Sequence, residues 1–225
     1  MPCSEPMPAV LELVEAVRRA DTALGLLQAT QALAAAAHPE SAACLVEILG
    51  FNNPGAAVAA VDGLIAIGEP AVDTILTNID GYNYGARAWA VRALAGIGDV
   101  RGLAVLEDAL GKDIGPSVRR AAARGLGQLR LAGLPAEERH GMALRCLQAL
   151  VDGCRDGEWV VRYAVVVGLE SLASALGGDG AVDSARPRQQ LMDALRGLHG
   201  DANEEAPVVQ LRAALALQRL EAAYD

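Results

Sequence analysis

Tyr82, Tyr84 and Trp89 fall within eight positions of "DGYNYGARAWAVRALAGIGD" (80–99), in a chain of 225 residues that has only two Trp, four Tyr and one Phe. Arg87 lies among them, and a second cluster, "EWVVRY" (158–163), brings Trp159, Arg162 and Tyr163 together. Aromatic faces beside guanidinium groups suit a flat ligand that carries carboxylates, because the rings stack and the guanidinium fork matches a carboxylate. The same residues also suit core filling and packing between helices. Both readings stay open at this level.

Other reactive side chains are sparse. Cys3, Cys44, Cys146 and Cys154 include one near pair, Cys146 and Cys154, whose eight-residue separation matches no zinc or redox spacing. They read as reduced thiols, with Cys44 and Cys146 in apolar helical stretches as buried structural cysteines. His38, His140 and His199 stand at turns or helix ends and read as surface or capping residues. No metal site is expected.

The elements that position the aromatics repeat along the chain. "GAAVAAVDGLIAIGE" (55–69) superposes without a gap on "GARAWAVRALAGIGD" (85–99) at an offset of 30 residues, and "LLQATQALAAAAHPE" (26–40) precedes them at an offset of 31. Later copies are "PSVRRAAARGLGQL" (116–129), "WVVRYAVVVGLESL" (159–172) and "PVVQLRAALALQRL" (207–220), which makes six. Each reads as a helix, a Gly or Pro turn and a second helix. In the third copy Ala86, Ala90, Ala93, Leu94 and Ile97 share one face at about 100° per residue, Arg92 points away and Trp89 lies at the edge of the buried stripe. The second helices "PESAACLVEILG" (39–50) and "PAVDTILTNID" (70–80) open with proline, and "RGLAVLEDALG" (101–111) closes with Gly111.

The fifth copy starts 43 residues after the fourth and the sixth 48 after the fifth, so extra chain enters twice. "RLAGLPAEERHG" (130–141) reads as a proline-bearing loop before a lengthened helix, and "SALGGDGAVDSARP" (174–187) as a Gly-rich flexible loop. No alternating strand pattern survives. The expectation is an all-α superhelix, an α-solenoid of about six helix pairs in one domain over 1–225, regular over about 20–130 and irregular beyond.

Superposed, the copies separate scaffold from departures. Pro54, Pro116 and Pro207 hold the slot before the first helix in the second, fourth and sixth copies, where proline starts a helix well. Tyr84 and Trp159 replace it in the third and fifth. Three positions on stand Arg87, Arg119 and Arg162, each following an acid at the turn before its helix, Asp80, Asp113 or Asp156. Either these form a ladder of hydrogen bonds between neighbouring repeats, or the arginines form a row of cations for a ligand. The run "RRAAARGLGQLR" (119–130) poses the same choice between a solvated face and an anion site.

A net charge of −9, from 19 basic and 28 acidic residues, works against a nucleic-acid partner. "MPCSEPMPAV" (1–10) lacks the basic start and apolar run of a signal peptide, and no charge-free stretch of about 20 apolar residues suggests membrane insertion. The expected location is the cytoplasm. Stacked helix pairs alone fit a non-catalytic scaffold for protein assembly as well as they fit an enzyme.

"GYNYGARAW" with "EWVVRY", and with "FNNPGAAVAAVDGLIAIGEPAV" and "PSVRRAAARGLGQLR", resembles the F subunits of the E/F-type phycobilin lyases, a family of HEAT-like repeat proteins, over roughly residues 10–172. The resemblance implies a cyanobacterial or red-algal heterodimer with an E-type partner that attaches a bilin, phycocyanobilin or phycoerythrobilin, by a thioether to a cysteine of the phycocyanin α chain. It implies no cofactor, the bilin being the substrate. Isomerising relatives carry an Asn-His-Cys-Tyr stretch, whereas here Tyr84 follows Asn83 directly, so attachment without isomerisation is expected. Under this resemblance Tyr82, Tyr84, Trp89 and Trp159 become bilin surfaces, Arg87 and Arg162 propionate partners, and Asp80 a catalytic residue that holds a pyrrole nitrogen or relays a proton.

Overall fold

The computed structural model describes residues 7–79, 83–176, 185–201 and 204–224. Asp80 and Tyr82 therefore lie outside the described residues, as does Cys3. Among the described residues the regular elements are twelve α-helices and four short 3-10 turns, with no strand. The contacts divide the chain into two compact units, 1–97 and 98–225.

In the first unit, α1 (Met7–Arg19), α3 (Ala42–Ile48) and α5 (Val72–Asn78) form one layer, and α2 (Ala23–Ala35), α4 (Pro54–Ile67) and α6 (Tyr84–Ile97) the other. Leu33, Leu45, Ile48, Leu64, Ile75 and Leu94 are fully buried between them. Each such side chain stabilises the fold by about 1.5–3 kcal/mol relative to exposure. The stripe read from α6 holds: Ala90, Ala93, Leu94 and Ile97 are buried, while Ala86 is half-buried and Arg92 exposed.

The second unit repeats the plan, with α7 (Leu103–Lys112), α9 (Ala136–Gly153) and α11 (Ala185–Gly200) in one layer and α8 (Pro116–Gly127), α10 (Trp159–Leu172) and α12 (Pro207–Tyr224) in the other. Leu106, Leu126, Leu147, Leu150 and Leu169 fill its core. Here α8 and α10 approach most closely, because Gly127 and Gly168 meet: a β-carbon on Gly127 would lie 2.3 Å from the Gly168 carbonyl oxygen.

Three sequence readings change. The helices pair in the opposite phase, since α3 packs chiefly on α4, which follows it, and only slightly on α2 before it; α11 does the same with α12 and α10, and α7 packs on α8, which follows it. The prolines of the second helices open 3-10 turns, at Pro39–Ser41 and Glu69–Ala71, ahead of the α-helices. The tighter turn follows from the sharp reversal before it, where Gly68 takes φ +74 and Gly98, before the turn at Val100–Gly102, takes φ +70. Finally, 130–141 is only partly loop: a 3-10 turn occupies Leu131–Gly133 and α9 begins at Ala136.

Candidate functional site

Tyr84 and Trp159 each take the first position of a helix, α6 and α10, as the repeat alignment requires. With proline absent, other groups start these helices. Asn83 caps α6, its side-chain oxygen accepting from the Ala86 N–H at 3.0 Å. Ahead of α10 the Asp156 carboxylate accepts from the Glu158 N–H at 2.9 Å and folds the approach to the helix. Both aromatics are thereby free to face solvent, Tyr84 at 68% and Trp159 at 46% exposure. Trp89, half-buried, carries the Arg92 guanidinium 4.8 Å from its ring centroid.

Behind Trp159 the arginines form a ladder. Arg119 places two donors on the Asp156 carboxylate, at 2.7 and 3.0 Å, and a third on the Asp113 carbonyl at 2.9 Å. Arg162 repeats this one step on, with two donors on Glu204 at 2.7 and 2.6 Å and a third on the Asp156 carbonyl at 2.6 Å. Each arginine thus takes the backbone of the acidic loop before it and the carboxylate of the next repeat. The Arg162 hydrogen bonds hold the Glu204 carboxyl below its usual range. Burial pushes Asp156 up, but the Arg119 fork and the Glu158 N–H outweigh it and leave the carboxyl lowered.

This arrangement corrects the propionate role expected for Arg162. Its fork is filled by Glu204, whose side chain is 1% exposed, so a ligand carboxylate has no open place there. Arg87 is half-buried and takes part in interactions of its own. The cysteines offer no nucleophile among the described residues: Cys44 and Cys146 are buried, burial raises the Cys44 thiol, and burial pushes Cys146 and Cys154 up to about 12. His38 is a cap, its Nδ1 accepting from the Glu40 N–H at 3.3 Å. Among the described residues no cluster of His, Cys, Asp and Glu is arranged to hold a metal ion.

Both units carry surface hollows. In the first unit Arg18, Asp21, Leu26, Cys44, Glu47 and Phe51 line one of about 590 Å³. In the second, His140, Leu144, Arg186 and Asp193 border one of about 750 Å³ between α9 and α11. Another of the second unit, about 630 Å³, lies past the ends of α8 and α10 and gathers Arg130 and Arg139 over leucines. Sequence reasoning noticed Arg130 within a basic run but missed Arg139, which lies beyond that run in the first turn of α9.

The arrangement can bind and orient; among the described residues it holds no nucleophile paired with a base. Comparison with known proteins places the chain in a family. A family model described as HEAT repeats matches residues 72–169. A protein of Synechocystis sp., "Phycocyanin alpha phycocyanobilin lyase CpcF", is 54% identical over 166 residues, which span 74% of this chain and 78% of that one. A "Phycocyanobilin lyase subunit beta" of Thermosynechococcus vestitus is 40% identical over 92% of this chain and 93% of its own. Among solved structures, the complex of CpcE and CpcF of phycocyanin lyase from Nostoc sp. contains a chain that is 39% identical with a TM-score of 0.67, covering 80% of this chain and 99% of that one. The fold is therefore an α-solenoid of HEAT-like helix pairs, and the chain belongs to the family of phycocyanobilin lyase β subunits.

Proposed function

We propose that this chain is one subunit of a heterodimeric lyase that, with an E-type partner, attaches phycocyanobilin to a cysteine of the phycocyanin α chain. The observation that carries the reading is the 54% identity to a phycocyanin α phycocyanobilin lyase over most of both chains. The relatives' names also favour phycocyanobilin over phycoerythrobilin.

Attachment is an addition. The acceptor thiol sulfur bonds to the ethylidene carbon of the bilin, the carbon–carbon double bond becomes single, and the thiol proton is matched by one delivered to the tetrapyrrole. No leaving group departs and no oxidant is needed, so the protein's work is to fix one conformation and one face of a flexible chromophore. Tyr84 and Trp159 are the exposed aromatic surfaces for that task, with the Trp89–Arg92 pair further along α6. Arg87, and Tyr82 and Asp80 outside the described residues, keep the roles that the resemblance implies: Tyr82 and Arg87 as bilin contacts and Asp80 as the proton relay. The acceptor is a cytoplasmic protein in this reading, and no single helix among the described residues is long and apolar enough to cross a membrane.

Co-expression of this chain, the E-type partner, apo-phycocyanin α chain and a bilin-producing pathway tests the reading. The expected result is bilin colour that stays with the α chain after denaturation. Equal colour when this chain is omitted would sink it.

A further inference from the structure

The Gly127–Gly168 contact brings α8 and α10 together close to their C-terminal ends, and the segments that follow wall the 630 Å³ cavity. Leu129, Leu131 and Leu172 give it apolar sides, while Arg130, Arg139 and Ser171 give it polar ones. The volume is in the range of small-ligand sites, about 300–1,000 Å³.

The two arginines differ from several others of this unit. Arg119, Arg145, Arg162, Arg196 and Arg212 all pair with carboxylates. No carboxylate among the described residues pairs with Arg130 or Arg139. The acid that acts on Arg130 is Asp99, and both Asp99 oxygens are already taken by Arg101, at 2.9 and 3.0 Å. Arg130 is also fixed through its backbone, its N–H donating to the Gly98 carbonyl at 2.8 Å.

An exposed Arg130 and a half-buried Arg139, neither forked onto a carboxylate among the described residues and both set beside leucines, suit a ligand with an apolar body and acidic arms. We propose that this cavity is a carboxylate-recognition site for the propionate side chains of an open-chain tetrapyrrole, with Arg130 and Arg139 on the carboxylates and the leucines against the pyrrole rings. The choice of ligand rests on the lyase reading. The site lies about 20 Å along α10 from Trp159, given a rise of about 1.5 Å per residue, so it is a holding position separate from the aromatic edge.

Titration of the purified full chain with biliverdin and with biliverdin dimethyl ester tests this without any mutation. The expected result is at least tenfold tighter binding of the free acid than of the ester. A second arm compares the double variant Arg130→Met/Arg139→Met with Arg120→Met/Arg124→Met, which removes the same charge from exposed positions that do not line the cavity. The first is expected to weaken biliverdin at least tenfold and to bind acid and ester equally, with an unchanged melting curve, and the second to behave as wild type. Equal binding of acid and ester by the wild-type chain overturns the proposal, as does an effect that follows Arg120 and Arg124. Should the double variant keep wild-type affinity while the wild-type pair attaches bilin, the pocket fails and the lyase reading stands. Discrimination of acid from ester that is lost in Arg130→Met/Arg139→Met, with no attachment by the wild-type pair, upholds the pocket and sinks the lyase reading.

Discussion

Arg162 and Glu204, 42 residues apart, close a two-point hydrogen-bonded ion pair between α10 and the loop before α12, with distances of 2.7 and 2.6 Å. Glu204 in turn accepts from the Ala206 N–H at 2.9 Å, so one carboxylate ties a neighbouring repeat and shapes the entry to the next helix. Arg162→Met leaves this buried acid without its cation. A loss of about 3 kcal/mol is expected, read by chemical denaturation, whereas Glu204→Gln, which keeps an acceptor, costs less. Wild-type stability of Arg162→Met with lost bilin attachment would instead revive a ligand role for Arg162.

Acid should release the same ladder. Glu204 and Asp156 have folded values held below their ordinary ones, so their contribution is complete above the ordinary carboxylate range, near about pH 4, and is lost as pH falls through the depressed folded values. The melting temperature is therefore expected to hold from neutral pH down to about pH 5 and to drop steeply below about pH 4. In Arg119→Met/Arg162→Met, less stable at neutral pH, that acid-induced drop is expected to shrink, because without their cations the carboxyls are no longer held below their unfolded values.

Repeat alignment made much of this legible. Superposing copies at an offset of about 30 residues places Leu64 on Leu94 and isolates Tyr84 and Trp159 as departures, and both prove exposed helix starts. The ladder was legible in kind but not in direction. Sequence proximity suggested Asp113 for Arg119, yet Asp113 gives only its carbonyl, and the carboxylate comes from Asp156 in the next repeat. Partners 37 residues apart depend on how repeats stack, which local spacing does not encode. The same reason hides the Gly127–Gly168 approach and the meeting of Arg130 with Arg139.

That glycine contact has a sharp consequence. With β-carbon distances of 2.3 Å to backbone at Gly127 and 2.5 Å at Gly168, neither helix has a flexible side chain to move aside. Gly127→Ala is expected to destabilise by about 1–3 kcal/mol through overpacking, although alanine is the better helix former by about 1 kcal/mol. Gly111→Ala, where nothing lies within 4 Å, is the matched control and should be neutral or slightly stabilising. Equal melting of the two variants would show that α8 and α10 do not touch at these glycines.

Truncating the exposed aromatics separates function from fold. Trp159→Ala and Tyr84→Ala remove rings that are about half or more in solvent, so each is expected to change stability by less than about 1 kcal/mol. Bilin attachment should fall at least tenfold in both. Unfolding of either variant would assign the ring to packing.

The central claim is that this chain and its partner guide a thiol addition. Mass spectrometry of the α chain after reaction with phycocyanobilin and both purified subunits tests it most directly. The account predicts one adduct whose added mass is the whole bilin, on a single cysteine, formed only when this chain is present. The same single adduct at the same rate without this chain would contradict it.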